Sequence, residues 1–376
     1  MTDVLVIGGG LAGCATAYYL AADGVDVTLI EKDDLNTRAS GSNAGSLHAQ
    51  IPYEPFVKNG PGWAATFAPT IKLLAQSIEL WRGLPALLET DLDVSLKGGL
   101  LVAATEADMA ALERKAEIER RQGLTVTLLD RADLRRIAPY LSQNMAGGAF
   151  CPDEGKANPF AATPAFAAAA SRLGARILRH HVVTDIARDG GGYAVATNRG
   201  VFRARRIVDA AGSEAGRIAA MLGVHLPVEG HPIQVSVTEP VAPLIPHLVY
   251  YTGEKLTLKQ NGVGSLLIGG GWPARIGRHG HPMIDPASLA QNLALAVAVA
   301  PSLAKIRVVR SWAAIVNGTA DWKPLLGEVP GSPGFFINFV PWMGFTAGPI
   351  AARIVASLAQ DRPPPVNVDL SPFKPH

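Results

Sequence analysis

Between an apolar run at 3–7 (DVLVI) and an apolar stretch from about Cys14 to Ala22, the chain sets Gly8, Gly10 and Gly13 in a G-x-G-x-x-G pattern. No other feature limits its fold as strongly. The first run reads as a buried strand and the second as a helix, closed by Asp23-Gly24. Residues 25–31 (VDVTLIE) read as a second strand that ends in an acid. Glycine-rich turns are common in a chain with 39 glycines, so the pattern carries weight only in context. Here a strand precedes it, a helix follows, and Glu31 ends the next strand, 21 residues after Gly10. In that setting Gly8 serves the turn, Gly10 lets backbone approach a pyrophosphate, and Gly13 lets the helix pack closely on the strand. The helix N-terminus offers N–H groups and partial positive charge to phosphates. Glu31 can accept hydrogen bonds from an adenosine ribose and would repel a 2′-phosphate. The alternative for Glu31 is an ordinary surface acid. The motif points to a bound dinucleotide without choosing between nicotinamide and flavin.

Residues 35–62 show no helical or strand period and are rich in Ser, Asn, Gly and Pro, which reads as a long functional loop. Helices are expected at about 63–90, 106–122, 160–173 and 286–299, with strands at 99–104, 125–129, 175–178 and 181–186. Tyr193–Thr197 and Val201–Ala204 suggest a hairpin, and Arg206–Ala210 a separate buried strand. From 231 to 275 the runs QVSV, LVYY, KLTLK and SLLIGG suggest an antiparallel sheet. A strand near 306–312, a strand at Gly334–Val340 and a helix from Thr346 to Ala359 close the pattern. The expected fold is α/β: a doubly wound, Rossmann-like layer beside an antiparallel-sheet α+β layer. The first layer takes 1–85, 145–225 and 310–376, and the second takes 86–144 and 226–309.

Composition removes several classes. Thirty-four Lys+Arg against 32 Asp+Glu give a net charge of +2, too little for charge-driven binding of nucleic acid. The two cysteines, Cys14 and Cys151, cannot build a disulfide scaffold, a structural zinc site or an all-cysteine iron–sulfur cluster. Pairs such as His180-His181 and His279-x-His281 lack further ligands at metal spacing, so no metal is expected. The longest apolar candidate for a span, 293–300, stops at Pro301 after eight residues, against the roughly 20 a bilayer needs. A cytoplasmic location is the expectation.

Four stretches together resemble the D-amino-acid oxidase superfamily of FAD-dependent amine and amino-acid oxidoreductases. They are GGGLAGCATAYYLAADGVDVTLIEK at the start, RASGSNAGSLHAQ at 38–50, RIVDAAGSEAGRIAAMLG at 206–223, and SWAAIVNGTADWKPLLG with WMGFTAGPIAARIVASLA near the end. The GAFCPDEGKANP run at 148–159 and the GSNAGSLHAQ loop are most similar to the flavin β-subunits of heteromeric amino-acid, opine and hydroxyproline dehydrogenases. The resemblance implies noncovalent FAD. It assigns Gly8, Gly10, Leu11, Ala12 and Gly13 to the pyrophosphate, and Glu31 with Lys32 to the ribose. Ser40, Gly41, Asn43, Ala44, Gly45, Ser46 and Leu47 would run along the isoalloxazine and ribityl chain. Val183 would meet the adenine, Ala211-Gly212 would lie behind the flavin, and Gly344, Phe345 and Thr346 would approach its pyrimidine end. Thr346 would open a helix whose positive end favours charge on reduced flavin, or would simply cap it.

Departures from the family shape the functional expectation. Glycine- and D-amino-acid-oxidase relatives place an arginine for the substrate carboxylate shortly before the late Thr-x-Asp, where this chain reads Ile315-Val316-Asn317-Gly318-Thr319. The remaining candidates for holding substrate are His48, Gln50, Tyr250, Tyr251, Lys255, Lys259, Asn317 and Trp342, with His48, Tyr251 and Lys259 foremost. Alternation along one strand argues that Tyr250 and Tyr251 do not share the pocket. Sarcosine-oxidase relatives keep an oxygen-activating lysine where this chain has Leu267, and a flavin-linking thiol where it has Ala314. The expected activity is hydride transfer from the C–N bond of a small amine, imino acid, amino acid or opine to flavin N5. Electrons would then pass to a partner protein rather than to oxygen. A peroxide-producing oxidase is the alternative, and a tRNA-modifying use of the same fold is a second.

Overall fold

A computed structural model describes residues 1–375. Its first sheet is built around Thr2–Ile7, which pairs in parallel with Val27–Ile30 on one side and with Gly200–Asp209 on the other. Arg176–Leu178 and Phe335–Phe339 extend it in parallel, and Leu325–Glu328 closes one edge antiparallel. The expected hairpin and buried strand fuse here. Gly200–Asp209 is a single strand whose first half pairs antiparallel with Gly192–Thr197 and whose second half pairs parallel with Phe335–Phe339. Helices Leu11–Ala22 and Gly344–Leu358 cover one face, burying Leu11, Cys14, Leu20, Ala347, Ile350 and Ile354 against Val4, Val6 and Leu29. The other face packs Leu5, Ile7, Ile207 and Phe335 against Ile218 and Val195.

The second sheet has the order Val308–Gly318, Glu229–Pro240, Ser265–Gly269, Thr257–Gln260, Leu248–Tyr251, Gly99–Ala103, Gly147–Cys151, Thr127–Leu129. It is antiparallel except for one parallel pair, Leu248–Tyr251 beside Gly99–Ala103. Two segments that flank the expected domain limits, Gly147–Cys151 and Val308–Gly318, pair in this sheet. Leu100, Leu258, Leu266 and Ile268 face Ala296 and Val299 of the helix Pro286–Val299, which Asp285 caps through its carboxylate.

One expectation fails clearly. The stretch read as a loop to residue 62 turns helical at Tyr53, and the helix runs to Leu87 with a break at Gly60 (φ 76°) followed by Pro61. Pro52, Pro55, Gly60, Pro61 and Gly62 hide it in the sequence. Yet a proline in the first turn lacks only an N–H that has no helical partner anyway, and the break falls where glycine and proline permit it. The two-residue strand Ser46–Leu47 pairs with Gly155–Lys156 and lies between the two layers.

Candidate functional site

Two cavities meet at the junction of the layers. The smaller, about 320 Å³, opens over the C-terminal ends of the first sheet's strands. That is where open α/β sheets hold their ligands. The larger, about 850 Å³, lies against the second sheet. Ala39, Ser42, Asn43, Ala314, Ile315, Val316, Trp342 and Phe345 border both, so the two form one elongated space.

Gly8, Gly10, Leu11, Ala12, Glu31, Lys32, Ser40, Asn43, Val183, Ala211, Gly212, Gly344 and Phe345 line the smaller cavity, which brings the three separate stretches of the chain together. The loop is as tight as its glycines suggest. Gly8 has φ 114°, and a Cβ on it would lie 2.5 Å from the Ala210 carbonyl oxygen. A Cβ on Gly13 would lie 1.9 Å from the Gly8 oxygen. Gly13 therefore shapes the loop from behind and does not border the cavity. Gly41, Gly45 and Leu47 likewise sit behind the wall, while Ala44, Ser46 and Thr346 border the larger cavity.

Glu31 is engaged by its own loop, its Oε2 accepting the Gly9 N–H (2.6 Å) and its Oε1 the Asp33 N–H (2.8 Å). Lys32 pairs with Glu214, a cavity residue that sequence reasoning passes over, as it does Arg38, Arg217 and Asn338. Behind the cradle, Asp209 accepts the Ala211 N–H (2.9 Å), and burial pushes its carboxyl up to about 8.

The helix expected to open at Thr346 begins two residues earlier, at Gly344, and Thr346 is not its cap. Its hydroxyl instead accepts the His48 N–H (2.9 Å) and donates to the Ser46 carbonyl (3.2 Å). Its carbonyl accepts from Ser77 Oγ (2.6 Å) and Trp81 Nε1 (2.9 Å). This knot fixes the helix N-terminus against the Ser46–Leu47 strand at the cavity wall.

Of the substrate-side candidates, His48, Gln50, Tyr250, Tyr251, Lys255 and Trp342 border the larger cavity. Asn317 borders the smaller one, and Lys259 borders neither. Tyr250 and Tyr251 do point to opposite faces of the sheet, packing on different core clusters. Both still border the cavity because the strand ends at Tyr251. Lys259 is fully buried behind the wall and donates to Ser46 Oγ (2.6 Å). Burial, with Lys156 nearby, lowers its ammonium to about 7. Tyr250 Oη is 2.7 Å from His48 Nδ1. Burial first, and the Lys259 charge second, push His48 down to about 3, so the ring is neutral at physiological pH. Lys255 is tied to Glu54 (3.1 Å), a partly exposed pair.

Of the aromatic wall, sequence reasoning finds Trp342 and misses Trp312 and Trp322. Trp342 stacks on Trp322 (4.8 Å) and on His231 (4.6 Å), and both tryptophans have positive φ. Strained backbone of this kind tends to cluster at ligand sites. Among the described residues no arginine borders the larger cavity. Among them, too, no group of His, Cys, Asp and Glu forms a metal site, and no helix is long and apolar enough to cross a membrane.

Residues 3–358 match the family described as FAD dependent oxidoreductase. The chain is 28% identical over 369 residues to the beta subunit of sarcosine oxidase from Rhizobium meliloti, covering 95% of this chain and 84% of that protein. It is 29% identical over 384 residues to glycine oxidase of Geobacillus kaustophilus (99% and 96%). It is 28% identical over 363 residues to an opine oxidase subunit of Rhizobium meliloti (94% and 92%). The solved glycine oxidase from Geobacillus kaustophilus superposes with a TM-score of 0.85 over 100% of this chain and 98% of that one, at 26% identity. The elongated space suits the cofactor of that family: the cradle at Gly8 and Gly10 lies at one end and a broad aromatic chamber at the other.

Proposed function

Because the chain belongs to the FAD-dependent oxidoreductase family, we propose that it oxidises the C–N bond of a small amine, imino acid, amino acid or opine and passes the electrons to a partner protein. The chemistry that noncovalent FAD supplies when bound is acceptance of a hydride at N5. The residues around the smaller cavity would hold its adenosine and pyrophosphate, and Ser46, Thr346 and Phe345 would flank its ring system.

The observation that carries the reading is the composition of the larger chamber. Amine oxidation by hydride transfer needs an amine held neutral and oriented, with little acid–base machinery. The chamber offers that. Tyr250, Trp312, Trp322, Trp342 and Phe345 give it aromatic walls, and His48, whose ring burial keeps neutral, borders it. Low polarity favours the uncharged amine. With no arginine on the wall, a substrate carboxylate would have to meet Lys58, Lys255 or His231.

Transfer to a partner is supported by the relatives named as subunits and by Leu267, an apolar side chain where a cation would aid oxygen. Both cysteines are buried and unpaired, so this chain brings no iron–sulfur relay of its own. One observation favours the oxidase reading: Lys259 stands directly across from Leu267 on the adjacent strand and faces the same side of the sheet. Paired assays on one substrate decide between them, oxygen uptake against reduction of an artificial dye by the isolated chain. The proposal expects dye reduction at least tenfold faster. Comparable rates would restore the oxidase.

A further inference from the structure

Among the described residues two lysines are fully buried, Lys115 and Lys259, and only one of them is neutralised. Lys115, on the helix Glu106–Arg121, pairs with the equally buried Glu119 at 2.6 Å. No carboxylate pairs with Lys259 among the described residues. Its hydrogen bond goes to Ser46 Oγ (2.6 Å), and that hydroxyl makes no other bond among them. Leu267 stands across from Lys259 on the adjacent strand. The titratable groups about it are Lys156, whose backbone pairs with that of Ser46, and His48, two residues beyond Ser46. Lys156 is a like charge and His48 is neutral, so neither offsets an ammonium. A charge taken out of water is costly unless an opposite charge compensates it. Burial accordingly lowers Lys259 to about 7, and Lys156 adds to the effect.

Ser46 borders the larger cavity with Thr346 and Phe345, where the flavin ring system would lie. A hydroxyl both donates and accepts. While Lys259 is an uncharged amine, the Ser46 hydrogen goes to its lone pair. Once Lys259 is charged, Nζ donates to Ser46 Oγ, and the Ser46 hydrogen is free to turn toward the chamber. An anion in the chamber favours that second state, and two-electron reduction of a flavin supplies one. We propose that Lys259 is a positioning residue that is uncharged beside oxidised flavin and takes up a proton when the flavin is reduced, turning Ser46 into a hydrogen-bond donor toward the ring system. The balance is two electrons and two protons. One proton accompanies the electrons to the ring, the other forms a third N–H bond on Lys259, and both return to solvent when the electrons leave for the acceptor. The inference rests on FAD occupying the elongated space and on no particular substrate.

The test uses the flavin-bound protein with dithionite as the reductant, so it needs no substrate. In protein carrying lysine labelled with ¹³C at Cε, the Lys259 signal reports the charge on Nζ, and its loss in Lys259→Met identifies it. At pH 8 it should read as an amine beside oxidised flavin and as an ammonium after reduction. That is about a hundredfold rise in proton affinity, the size expected of a unit charge one hydroxyl away at a protein-like dielectric. The midpoint potential followed from pH 7.5 to 8.5 should report two protons per electron pair in wild type and one in Lys259→Met. Ser46→Ala removes the hydrogen bond that supports the ammonium and should leave Lys259 an amine in both states. A Lys259 signal that reduction leaves unchanged overturns the proposal, as does a wild-type count of one proton or an equal count in Lys259→Met. An ammonium in reduced Ser46→Ala would overturn the part given to Ser46. Failure of the amine-oxidising reading shows separately, as flavin that dithionite bleaches and no amine does.

Discussion

Lys259 and Leu267 stand opposite each other on adjacent antiparallel strands, and the Lys259 ammonium, buried, donates to Ser46 Oγ at 2.6 Å. A cation thus lies close to the position that the sequence fills with leucine. Its protonation is tied to stability. In the folded chain the group titrates at about 7, and in the unfolded chain at about 10.4. Between those values the unfolded state binds more protons, so this group's contribution to stability rises with pH across the window and is lost as pH falls toward 7. Lys259→Met removes that linkage. Denaturant titrations should show the variant gaining most over wild type at pH 6 and progressively less toward pH 10. A constant difference would mean that Lys259 is not buried as a strained cation.

The glycine loop makes a graded prediction. Gly13→Ala places a methyl against the Gly8 carbonyl, where there is no room, and should both destabilise the fold and reduce FAD content at least tenfold. Gly10→Val should fold but lose FAD, because Gly10 borders the cavity and meets only Ser40 Oγ. Flavin content after gel filtration separates the two. Wild-type FAD binding by Gly10→Val would reduce the loop to a plain turn.

Thr346→Val tests the knot at the C-terminal helix. It leaves the His48 N–H and the Ser46 carbonyl without their partner, so unfolding in urea should show a loss of about 1–3 kcal/mol. Thr346→Ser, which keeps the hydroxyl, should recover most of it. Wild-type stability in Thr346→Val would show that the hydroxyl contributes nothing to holding the helix in place.

What can be read from the sequence follows from how local each signal is. Gly8, Gly10, Gly13 and Glu31 lie in one strand–helix–strand unit, and their spacing in that local context implies the tight loop that the structure forms beside the smaller cavity. The aromatic wall has no such spacing: Trp312, Trp322 and Trp342 come from separate turns and strands, and only the fold brings them to one cavity, where Trp322 stacks on Trp342. The fully buried Glu154, whose Oε1 accepts the Ala49 and Gln50 N–H groups, is invisible for the same reason, because those contacts depend on the 49–50 backbone packing against a distant turn. The helix at Tyr53 is masked by prolines that its first turn and its break accommodate. Lys259 reads in the sequence as a substrate contact, but alternation and sheet register place it one layer behind.

The most direct measurement is anaerobic titration of the flavin-bound protein with D- and L-amino acids, N-methyl amino acids, cyclic imino acids and opines, alongside α-hydroxy acids and glycerol phosphate, following the oxidised flavin absorbance. The account predicts that at least one nitrogen substrate bleaches the flavin and that the compounds lacking nitrogen leave it oxidised. Bleaching by a hydroxy acid or glycerol phosphate, with every amine inert, would contradict C–N oxidation as the function of this chamber.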